Sequence, residues 1–445
     1  MTVIKPFRGI TYNRELIKDL GQVITPPYDV IGPGKQEQLY CKSPYNVIRL
    51  EYGKTYPQDT RSDNRYSRAA ETLNSWLEQG VLRPDPGKNY YFHEQSFHWQ
   101  DQTLTRFGFM AALKLEPYGS GAILPHEQTM SGPKEDRLRL LEHTRANFSP
   151  IFTFFPDPER RMDSYREIIK IRPPAIAASN GTGQSHRIWP VDNRELIADL
   201  TCYLAERSVL IADGHHRYET ALQYSREVNL NLLPGAGYVL ATLVGASDSG
   251  LLMLPANRLV YNLENEQVNF MERMIKENFS FLERGRLEDL DQETYMAELN
   301  RLAPESGAIG YVTPAGAGLL LPAWKLENTD LPVTVLHERL LDPVLAAGNS
   351  EQEETSLDLE EDHPAGLDFT PDYTKVFEDI AGGKAQAAFL IGFMPVDKVL
   401  ERARSGMLMP QKSTYFYPKL PGGLVIYHAE KSDVEPALLK STATI

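Results

Sequence analysis

The chain has 445 residues, of which 42% are hydrophobic and 24% charged, and its formal net charge at neutral pH is −14. This length predicts two or three domains, or one large α/β domain with elaborations. The acidic balance argues against a general nucleic-acid binder, because such proteins gain affinity mainly from lysine and arginine on phosphates. No apolar run is long enough to cross a membrane, and the N-terminal MTVIKPFRGI lacks the apolar core of a secretory signal. We therefore expect a cytoplasmic protein without a nucleic-acid or membrane partner.

Cysteine usage and charge clustering set two further limits. Cys41 and Cys202 lie far apart in sequence and cannot build a disulfide framework. The absence of a C-x-x-C motif excludes a structural zinc site of the usual thiolate kind. The segment EQEETSLDLEED (351–362) carries seven acids in twelve residues, a composition that predicts a solvated loop.

The predicted elements begin with residues 1–60, whose proline, tyrosine and glycine content favours short strands and structured turns. Residues 65–82 form a predicted helix, since Ala69, Leu73 and Trp76 share one face and Gly80 fits its end. The segments NYYFHEQSFHW and LTRFGFMAALKLE predict a β-hairpin.

Helices and strands alternate irregularly through the rest of the chain. Periodicity predicts helices at 133–148, 193–207, 217–228, around 265–283, 288–302 and 332–346, and in VDKVLERARSG. It predicts strands at 208–212 and in GYVLATLVGA, LLMLPANRLVYN and QAAFLIGFM, a hairpin in AIGYVTPAGAGLLLPAWK, and a closing strand pair in STYFYPKLPGGLVIYH. This mixture predicts an α+β (mixed α/β) fold. We expect three regions, 1–150, 151–262 and 263–445, or one compact unit.

The stretch LIADGHHRYETAL (210–222) places four polar residues around one glycine, where a predicted strand meets a predicted helix. The first N–H groups of a helix lack intrahelical partners and carry positive dipole charge, so an anion is favoured there. Gly214 allows close approach, Arg217 offers a fork of donors, and His215 and His216 can donate to an anion or move a proton. Asp213 can cap the helix, orient a histidine or hold Mg²⁺. A capped helix with surface histidines is the alternative, and neighbouring histidines diverge too far on a helix to share a metal.

A second cluster lies in PHEQTMSGPKEDRLRLL (125–141). His126 and Glu127 precede a turn, and Lys134 and Arg137 lie in the first turns of a predicted helix. A base or metal-facing carboxylate with two cations beside a helix N-terminus would suit a phosphate-handling site. The alternative is a charged helix start with solvated side chains.

Two shorter segments supply further candidates. In MPQKSTYFYPK (409–419), Lys412 and Ser413 alternate with aromatic residues on a predicted strand, as does Lys419, although an edge strand explains the pattern equally. In TPPYDVI (25–31), Tyr28 and Asp29 follow a rigid turn that could be structural alone. None of the four segments matches a P-loop, a dinucleotide fingerprint, H-E-x-x-H or G-x-S-x-G.

Many ordered blocks carry a resemblance to a known family. They are KPFRGI, TPPYDVI, SPYNVIRL, PHEQT, GPKEDRLRLL, NFSPIF, ADGHHRYETAL, LPANRLV and MPQKSTYFYPKLPGGLV. Over nearly its full length the chain resembles the bacterial and archaeal family called domain of unknown function 1015 (DUF1015). That family is distantly similar to the ParB/sulfiredoxin superfamily, which includes free-serine kinases. The resemblance implies a ParB/sulfiredoxin-like core at 151–262, in which Gly214 and Arg217 hold phosphates and a histidine contacts the transferred group.

Together, the residues and the resemblance predict a nucleotide-dependent phosphotransferase that acts on a small hydroxyl metabolite such as free serine, with ATP or ADP and Mg²⁺. The expected catalytic residues are Glu127, His216 and Asp213, with Asp213 also facing Mg²⁺. The expected phosphate-binding residues are Gly214, His215, Arg217, Lys134, Arg137, Lys412 and Ser413. The expected substrate-contacting or supporting residues are Tyr28, Asp29, His126, Asn257 and Arg258.

Two alternatives stay open at this point: a nucleotide- or metabolite-binding regulator without turnover, and a phosphoester hydrolase. The regulator is favoured by a departure from the family pattern, in which Thr-His commonly precedes the position of Arg258. Here Ala256 and Asn257 stand there, and asparagine cannot move a proton at neutral pH. The sequence predicts no oligomeric state.

Overall fold

A computed structural model describes residues 1–127, 132–179, 181, 183–327, 329–347 and 366–433. The described chain divides into two compact units. The first unit takes in residues 1–125, the described residues of 132–251, and residues 418–433. The second unit takes in residues 126 and 127 and the described residues of 252–417. The acidic segment 351–362 lies outside the described residues.

The first unit is built on a mixed sheet. Its strands are, in spatial order, Ile123–Leu124, Val209–Asp213, Ile151–Phe155, Tyr238–Gly245, Gln102–Lys114, Tyr90–Trp99, Ser185–Val191 and Ile176–Ser179, and Ile4–Lys5 also pairs with Gln102–Lys114. Two small sheets pair Ile10–Tyr12 with Leu82–Pro84 and Ala146–Asn147 with Tyr427–His428. The central antiparallel pair confirms the predicted hairpin.

Cores lie on both faces of this sheet because side chains alternate along each strand. Tyr90 and Phe92 pack into one core, and Tyr91 and Met110 pack into the other. The helices of this unit are Pro33–Lys42, Ile48–Glu51, Arg65–Glu78, Gly132–Thr144, Arg161–Lys170, Arg194–Ala205 and His215–Glu227, with short 3₁₀ turns at Leu20–Gln22, Tyr28–Val30 and Pro234–Gly237.

Two predictions for the first unit need correction. The helix predicted to reach residue 148 ends at Thr144, since Arg145 adopts a left-handed φ of 53° and the following residues pair in a strand. Within residues 1–60, where short strands and turns were predicted, the segment YNVIRLEY contains the short helix Ile48–Glu51. Asn46 supports the residues just before this helix, because its side-chain oxygen accepts the N–H of Ile48 at 3.0 Å.

The second unit contains an antiparallel sheet and a two-stranded ribbon. The sheet strands are, in spatial order, Phe279–Gly285, Gly316–Pro322, Ile309–Thr313, Ala387–Ile391, Asn257–Tyr261 and Gly366–Thr370. The ribbon pairs Leu252–Pro255 with Thr414–Tyr417. The helices are Asn265–Asn278, Gln292–Ser306, Pro332–Leu336, Asp342–Ala346, Tyr373–Ala381 and Val396–Arg404, with a 3₁₀ turn at Leu287–Asp289 and a π-helical segment at His337–Leu341.

Pairing between strands that are distant in sequence contradicts two predictions that involve the second unit. The helix expected around 265–283 ends at Asn278, because Phe279–Gly285 pairs with the predicted hairpin instead. The strands of STYFYPKLPGGLVIYH do not pair with each other. Thr414–Tyr417 joins the second unit, and Tyr427–His428 joins the first.

The α+β fold class is confirmed, but the division of the chain differs from the three expected regions. A boundary near residue 150 would cut the first unit's sheet, because Ile151–Phe155 pairs with Tyr238–Gly245, which pairs in turn with Gln102–Lys114. The C-terminal residues return to the first unit, where the N–H of Ile426 donates to the carbonyl of Ile10 at 2.9 Å. Within the described ranges, no helix has the length and apolar character needed to cross a bilayer.

Candidate phosphate site

The candidate site in the first unit forms where strand Val209–Asp213 turns into helix His215–Glu227. Gly214 makes this turn with a φ of 91°, a left-handed conformation that side chains disfavour. A Cβ added there would lie 3.0 Å from the Arg217 guanidinium. In the described chain Gly214 is the N-cap residue and no side chain caps the helix, so Asp213 is not the capping residue. The first N–H groups of the helix thus begin beside a glycine.

Asp213 is bound by two cations. The Arg217 guanidinium donates to Oδ2 at 2.6 Å, and the Lys419 ammonium contacts Oδ1. Arg217 also donates to the Ser149 hydroxyl at 3.1 Å and to the Pro150 carbonyl at 2.6 Å, which fix its orientation. One carboxylate between two cations leaves net positive charge at the positive end of a helix.

His216 occupies the first turn of this helix near further charged groups. Burial lowers the pKa of the His216 imidazole, with Lys134 and Arg217 acting in the same direction and Glu219 and Asp29 opposing them. The Lys134 ammonium lies 2.6 Å from the Glu219 carboxylate. A histidine with a lowered pKa is neutral at pH 7 and able to accept a proton.

Arg137 and Tyr28 join the turn through a buried network. The Arg137 guanidinium lies 4.1 Å from the Tyr28 ring centroid and donates to the Glu51 carbonyl at 2.8 Å. The Ser149 hydroxyl donates to Glu51 Oε1 at 3.0 Å and accepts from Arg217, which completes the connection. Burial raises the pKa of Tyr28 to about 12, so its hydroxyl stays protonated. Arg137 also pairs with Asp136.

Glu51 and Ser149 contact the turn without having been predicted as candidates, and Lys419 was predicted only as a polar residue of MPQKSTYFYPK. Ser149 belongs to NFSPIF and Lys419 to MPQKSTYFYPK, two blocks of the family resemblance, whereas Glu51 directly follows SPYNVIRL. Their position in or beside these blocks was the only feature of the sequence that pointed to these residues. Neither spacing nor periodicity links residues so far apart in sequence.

The second unit gathers another set of predicted residues around Glu127. Its Oε1 accepts the Thr414 N–H at 2.8 Å and the Thr414 hydroxyl at 2.9 Å, and its Oε2 accepts the Lys412 N–H at 3.1 Å. A His126 ring nitrogen lies 2.7 Å from the same hydroxyl. Ser413 is fully buried and donates to the Pro410 carbonyl at 2.7 Å. In this structure Glu127 therefore holds the backbone of residues 412–414.

Arg258 and Asn257 are buried in the same unit. Arg258 donates to the Gln411 carbonyl at 3.4 Å and to His337 at 3.1 Å, and burial lowers the pKa of Arg258 to about 9. The Asn257 side-chain oxygen accepts the N–H of Ile391 at 3.1 Å. Asn257 thus supports the sheet at the position where the family commonly has histidine.

The predicted residues therefore fall into two sets. The first unit brings together Tyr28, Asp29, Lys134, Arg137, Asp213, Gly214, His215, His216 and Arg217. The second contains His126, Glu127, Asn257, Arg258, Lys412 and Ser413. That all of them line one cleft stays a prediction.

A resident Mg²⁺ ion does not fit the turn as its residues stand. Both Asp213 oxygens contact cations, whereas magnesium favours carboxylate and other oxygen ligands. Among the residues that the structure describes, no three or more histidine, cysteine or acidic side chains are grouped to hold a metal.

The fold and the turn define an α+β protein with a cation-rich helix N-terminus. The chain belongs to the family described as "Protein of unknown function (DUF1015)", whose model matches residues 4–340, so the family resemblance is confirmed. No curated protein sequence matches it.

Several solved structures resemble the chain weakly. A mutant free serine kinase in complex with ADP has 14% identity and a TM-score of 0.35, and covers 70% of this chain and 86% of its own. A free serine kinase in complex with AMP has 16% identity and a TM-score of 0.33 over the same shares. A conserved hypothetical protein from Pyrococcus furiosus has 14% identity and a TM-score of 0.32, covering 67% of this chain and 90% of its own. At such low TM-scores, the ligands of those proteins are not transferred to this chain.

Proposed function

We propose that the chain is a phosphotransferase that binds a nucleoside di- or triphosphate at Asp213–Arg217 and phosphorylates a hydroxyl of a small metabolite, such as free serine. One observation carries the proposal: Arg217 and Lys419 share the Asp213 carboxylate at the N-terminus of a long helix. Peptide N–H groups, a guanidinium and an ammonium are the donors that phosphate oxygens require. Gly214 lets the phosphates approach the backbone closely.

In the proposed reaction, the acceptor hydroxyl oxygen attacks the terminal phosphorus. The bond from that phosphorus to the bridging oxygen breaks, and the nucleotide leaves with one phosphate fewer. Neutral His216 takes the hydroxyl proton. Lys134 and Arg137, which pair with Glu219 and Asp136, supply cationic donors, and His215 supplies a ring N–H. Catalysis then consists mainly of positioning and charge neutralisation.

The second set of residues has a narrower proposed role. Glu127 would orient Lys412 and Ser413 through the backbone hydrogen bonds it accepts. Arg258 and His126, both buried, would support that loop. Tyr28 and Asp29 would form the acceptor side of the turn in the first unit.

A regulator that binds nucleotide without turnover is the second candidate. Asn257 favours it, because this side chain is committed to the Ile391 N–H and cannot transfer a proton. Both candidate functions include nucleotide phosphate binding at the turn Asp213–Arg217. They differ only in whether a phosphorylated product forms.

Nucleotide binding is the first test of the proposal. We expect ATP or ADP at about 100 times its dissociation constant to stabilise the chain by about 2.7 kcal/mol, measured by thermal unfolding and calorimetry. Incubation with serine and other small hydroxyl compounds should then release a nucleotide with one phosphate fewer, in step with acceptor consumption. Tight binding without product over hours would favour the regulator, and no stabilisation by either nucleotide would contradict both candidates.

The pH dependence of turnover tests His216 as the base. Because burial lowers its pKa below the ordinary value of 6.5, we expect kcat/KM to stay constant as the pH falls through 6.5 and to decline only at lower pH. His216→Asn should reduce kcat by about 100-fold or more and abolish that acid limb. His98→Asn, which changes an exposed histidine, is the control. A decline that begins at or above pH 6.5 would assign the base to another group.

A further inference from the structure

We infer that Lys419 binds the terminal phosphate of the nucleotide, and that Arg106 and Gln95 are the residues that position it there. This inference rests on the proposed function and deepens it by assigning the residue that distinguishes a di- or triphosphate from a monophosphate. It is carried by contacts that bring three distant segments of the first unit together.

Lys419 reaches the turn from a segment that lies 206 residues beyond Asp213 in the chain. Its ammonium contacts Asp213 Oδ1 while Arg217 occupies Oδ2, so one carboxylate places both cations beside the helix N-terminus. The side chains of Lys419 and Asp213 are 16% and 13% exposed, which leaves them partly open to solvent. A phosphate that enters the turn can therefore exchange with the carboxylate as a partner of the ammonium.

The two cations differ in how they are held. Arg217 is anchored at the Pro150 carbonyl and the Ser149 hydroxyl as well as at Asp213, which fixes the direction of its fork. An ammonium on a flexible four-carbon stem is a point charge that can follow a moving oxygen. We therefore assign the inner phosphate to Arg217 and the terminal phosphate, the group that departs, to Lys419.

The backbone of Lys419 is held by two side chains of the central strands. Arg106 donates to the Pro418 carbonyl at 2.6 Å and to Gln95 Oε1 at 2.5 Å, and the Gln95 amide donates to the Lys419 carbonyl at 3.5 Å. Arg106 and Gln95 are opposite each other on paired strands. The two acceptors are the carbonyls on either side of the Lys419 Cα, so these bonds limit where the Lys419 side chain can start.

Arg106 is a charged residue that is almost completely buried beside the Lys419 backbone. It is 2% exposed, lies 4.5 Å from the Phe152 ring centroid, and burial lowers its pKa to about 9. Phe152 is in turn the register partner of Asp213, so the guanidinium packs against the strand next to the one that carries the site. Burying a guanidinium costs stability, and the Asp248 carboxyl offsets that cost only in part, because the pKa of Arg106 is still lowered. The hydrogen bond from Arg106 to the Pro418 carbonyl explains why a buried guanidinium is useful here, since that bond positions Lys419.

Calorimetric binding of ATP, ADP and AMP tests the lysine. We expect Lys419→Ala to weaken ATP and ADP binding about 30-fold and AMP binding less than about 3-fold, since a charged hydrogen bond to the terminal phosphate is lost. Lys419→Arg should restore most of the difference, and Lys35→Ala, at an exposed lysine of the same unit, should match wild type. Equal weakening for all three nucleotides, or none, would overturn the assignment. If wild type itself binds no nucleotide, the proposed function fails instead.

Arg106→Met tests the positioning role. If Arg106 only stabilises the core, the substitution lowers the unfolding temperature and leaves the ratio of ATP to AMP affinity unchanged. If it positions Lys419, that ratio falls toward the Lys419→Ala value, and Arg106→Lys, which can still donate to Pro418, partly restores it. A variant that folds and keeps the wild-type ratio would remove Arg106 from the assignment and leave Lys419 in place.

Discussion

Arg217→Ala should weaken the binding of ATP or ADP about 100-fold, a loss of about 2.7 kcal/mol, and should abolish measurable phosphoryl transfer. Arg217 supplies the only guanidinium that contacts Asp213 in the described chain, and its two anchors hold it beside the helix N-terminus. Without it, Asp213 retains only part of its neutralising charge. Lys419 then only balances Asp213, so the net positive charge that attracts the phosphates is lost and the helix dipole alone remains.

The matched variants separate charge from geometry. Arg217→Lys keeps the charge but cannot donate simultaneously to Asp213, Ser149 and Pro150, so we expect an intermediate loss of about 10-fold. Arg226→Ala removes an exposed arginine from the other end of the same helix and should leave affinity unchanged. Calorimetry gives the affinities, and thermal unfolding confirms that each variant folds. Wild-type affinity in a folded Arg217→Ala protein would place the phosphate site elsewhere.

Acid should destabilise the first unit strongly through two buried histidines. Burial lowers the pKa of His428 to about 3, helped by Lys431 and Arg145, and burial lowers the pKa of His186 to about 3, helped by Arg106. The unfolded chain takes up these protons near the ordinary value of 6.5, whereas the folded chain resists them. Stability is therefore complete above pH 6.5 and falls as the pH decreases, by about 3 kcal/mol per histidine by about pH 4.5.

The hydrogen bonds of His428 explain why it resists protonation. Its Nδ1 accepts the N–H groups of Glu430 at 3.2 Å and Lys431 at 3.3 Å, and a proton on that nitrogen would displace both donors. His186 contacts His93 across 3.1 Å, and burial also lowers the pKa of His93. A proton on that pair would be buried beside the Arg106 guanidinium.

Substitution of His428 tests whether its imidazole causes the loss of stability in acid. His428→Asn keeps a side-chain acceptor but cannot gain a proton, so we expect about 3 kcal/mol less loss of stability between pH 6.5 and about 4.5. The readout is the urea dependence of hydrogen exchange in strand Gln102–Lys114, which reports on the first unit. His98→Asn, an exposed histidine on the neighbouring strand, should keep the wild-type pH dependence. An identical pH dependence in His428→Asn would contradict the assignment.

Hydrophobic periodicity predicted the secondary structure of a segment correctly where the side chains of that segment determine its structure. Helix Arg65–Glu78 was predictable from its apolar stripe, and its start is fixed by Asn64, whose side chain accepts the N–H groups of Tyr66 and Ser67. The hairpin Tyr90–Trp99 and Gln102–Lys114 was predictable from alternation. Prediction failed where a distant strand decides, as after Asn278, because periodicity carries no information about pairing partners.

The candidate site shows the same division. The strand–glycine–helix turn was visible in LIADGHHRYETAL, because glycine between a buried strand and a helix start has a local physical meaning. Lys419 and Ser149 were not identifiable as partners of that turn, since their contacts arise only when the sheet assembles. Lys412 and Glu127, which were predicted to belong to one site, are in contact. The contact is a hydrogen bond from the backbone N–H of Lys412 to the Glu127 carboxylate.

The return of residues 418–433 to the first unit has a consequence for the order in which the protein is made. Asp213 leaves the ribosome 206 residues before Lys419, a delay on the order of 10 to 40 s at ordinary rates of synthesis. During that interval the second unit emerges and can fold, while the turn has Arg217 but not its lysine. A nascent chain that stops before Lys419 therefore carries an incomplete turn, and the nucleotide is expected to favour chains in which Lys419 is present.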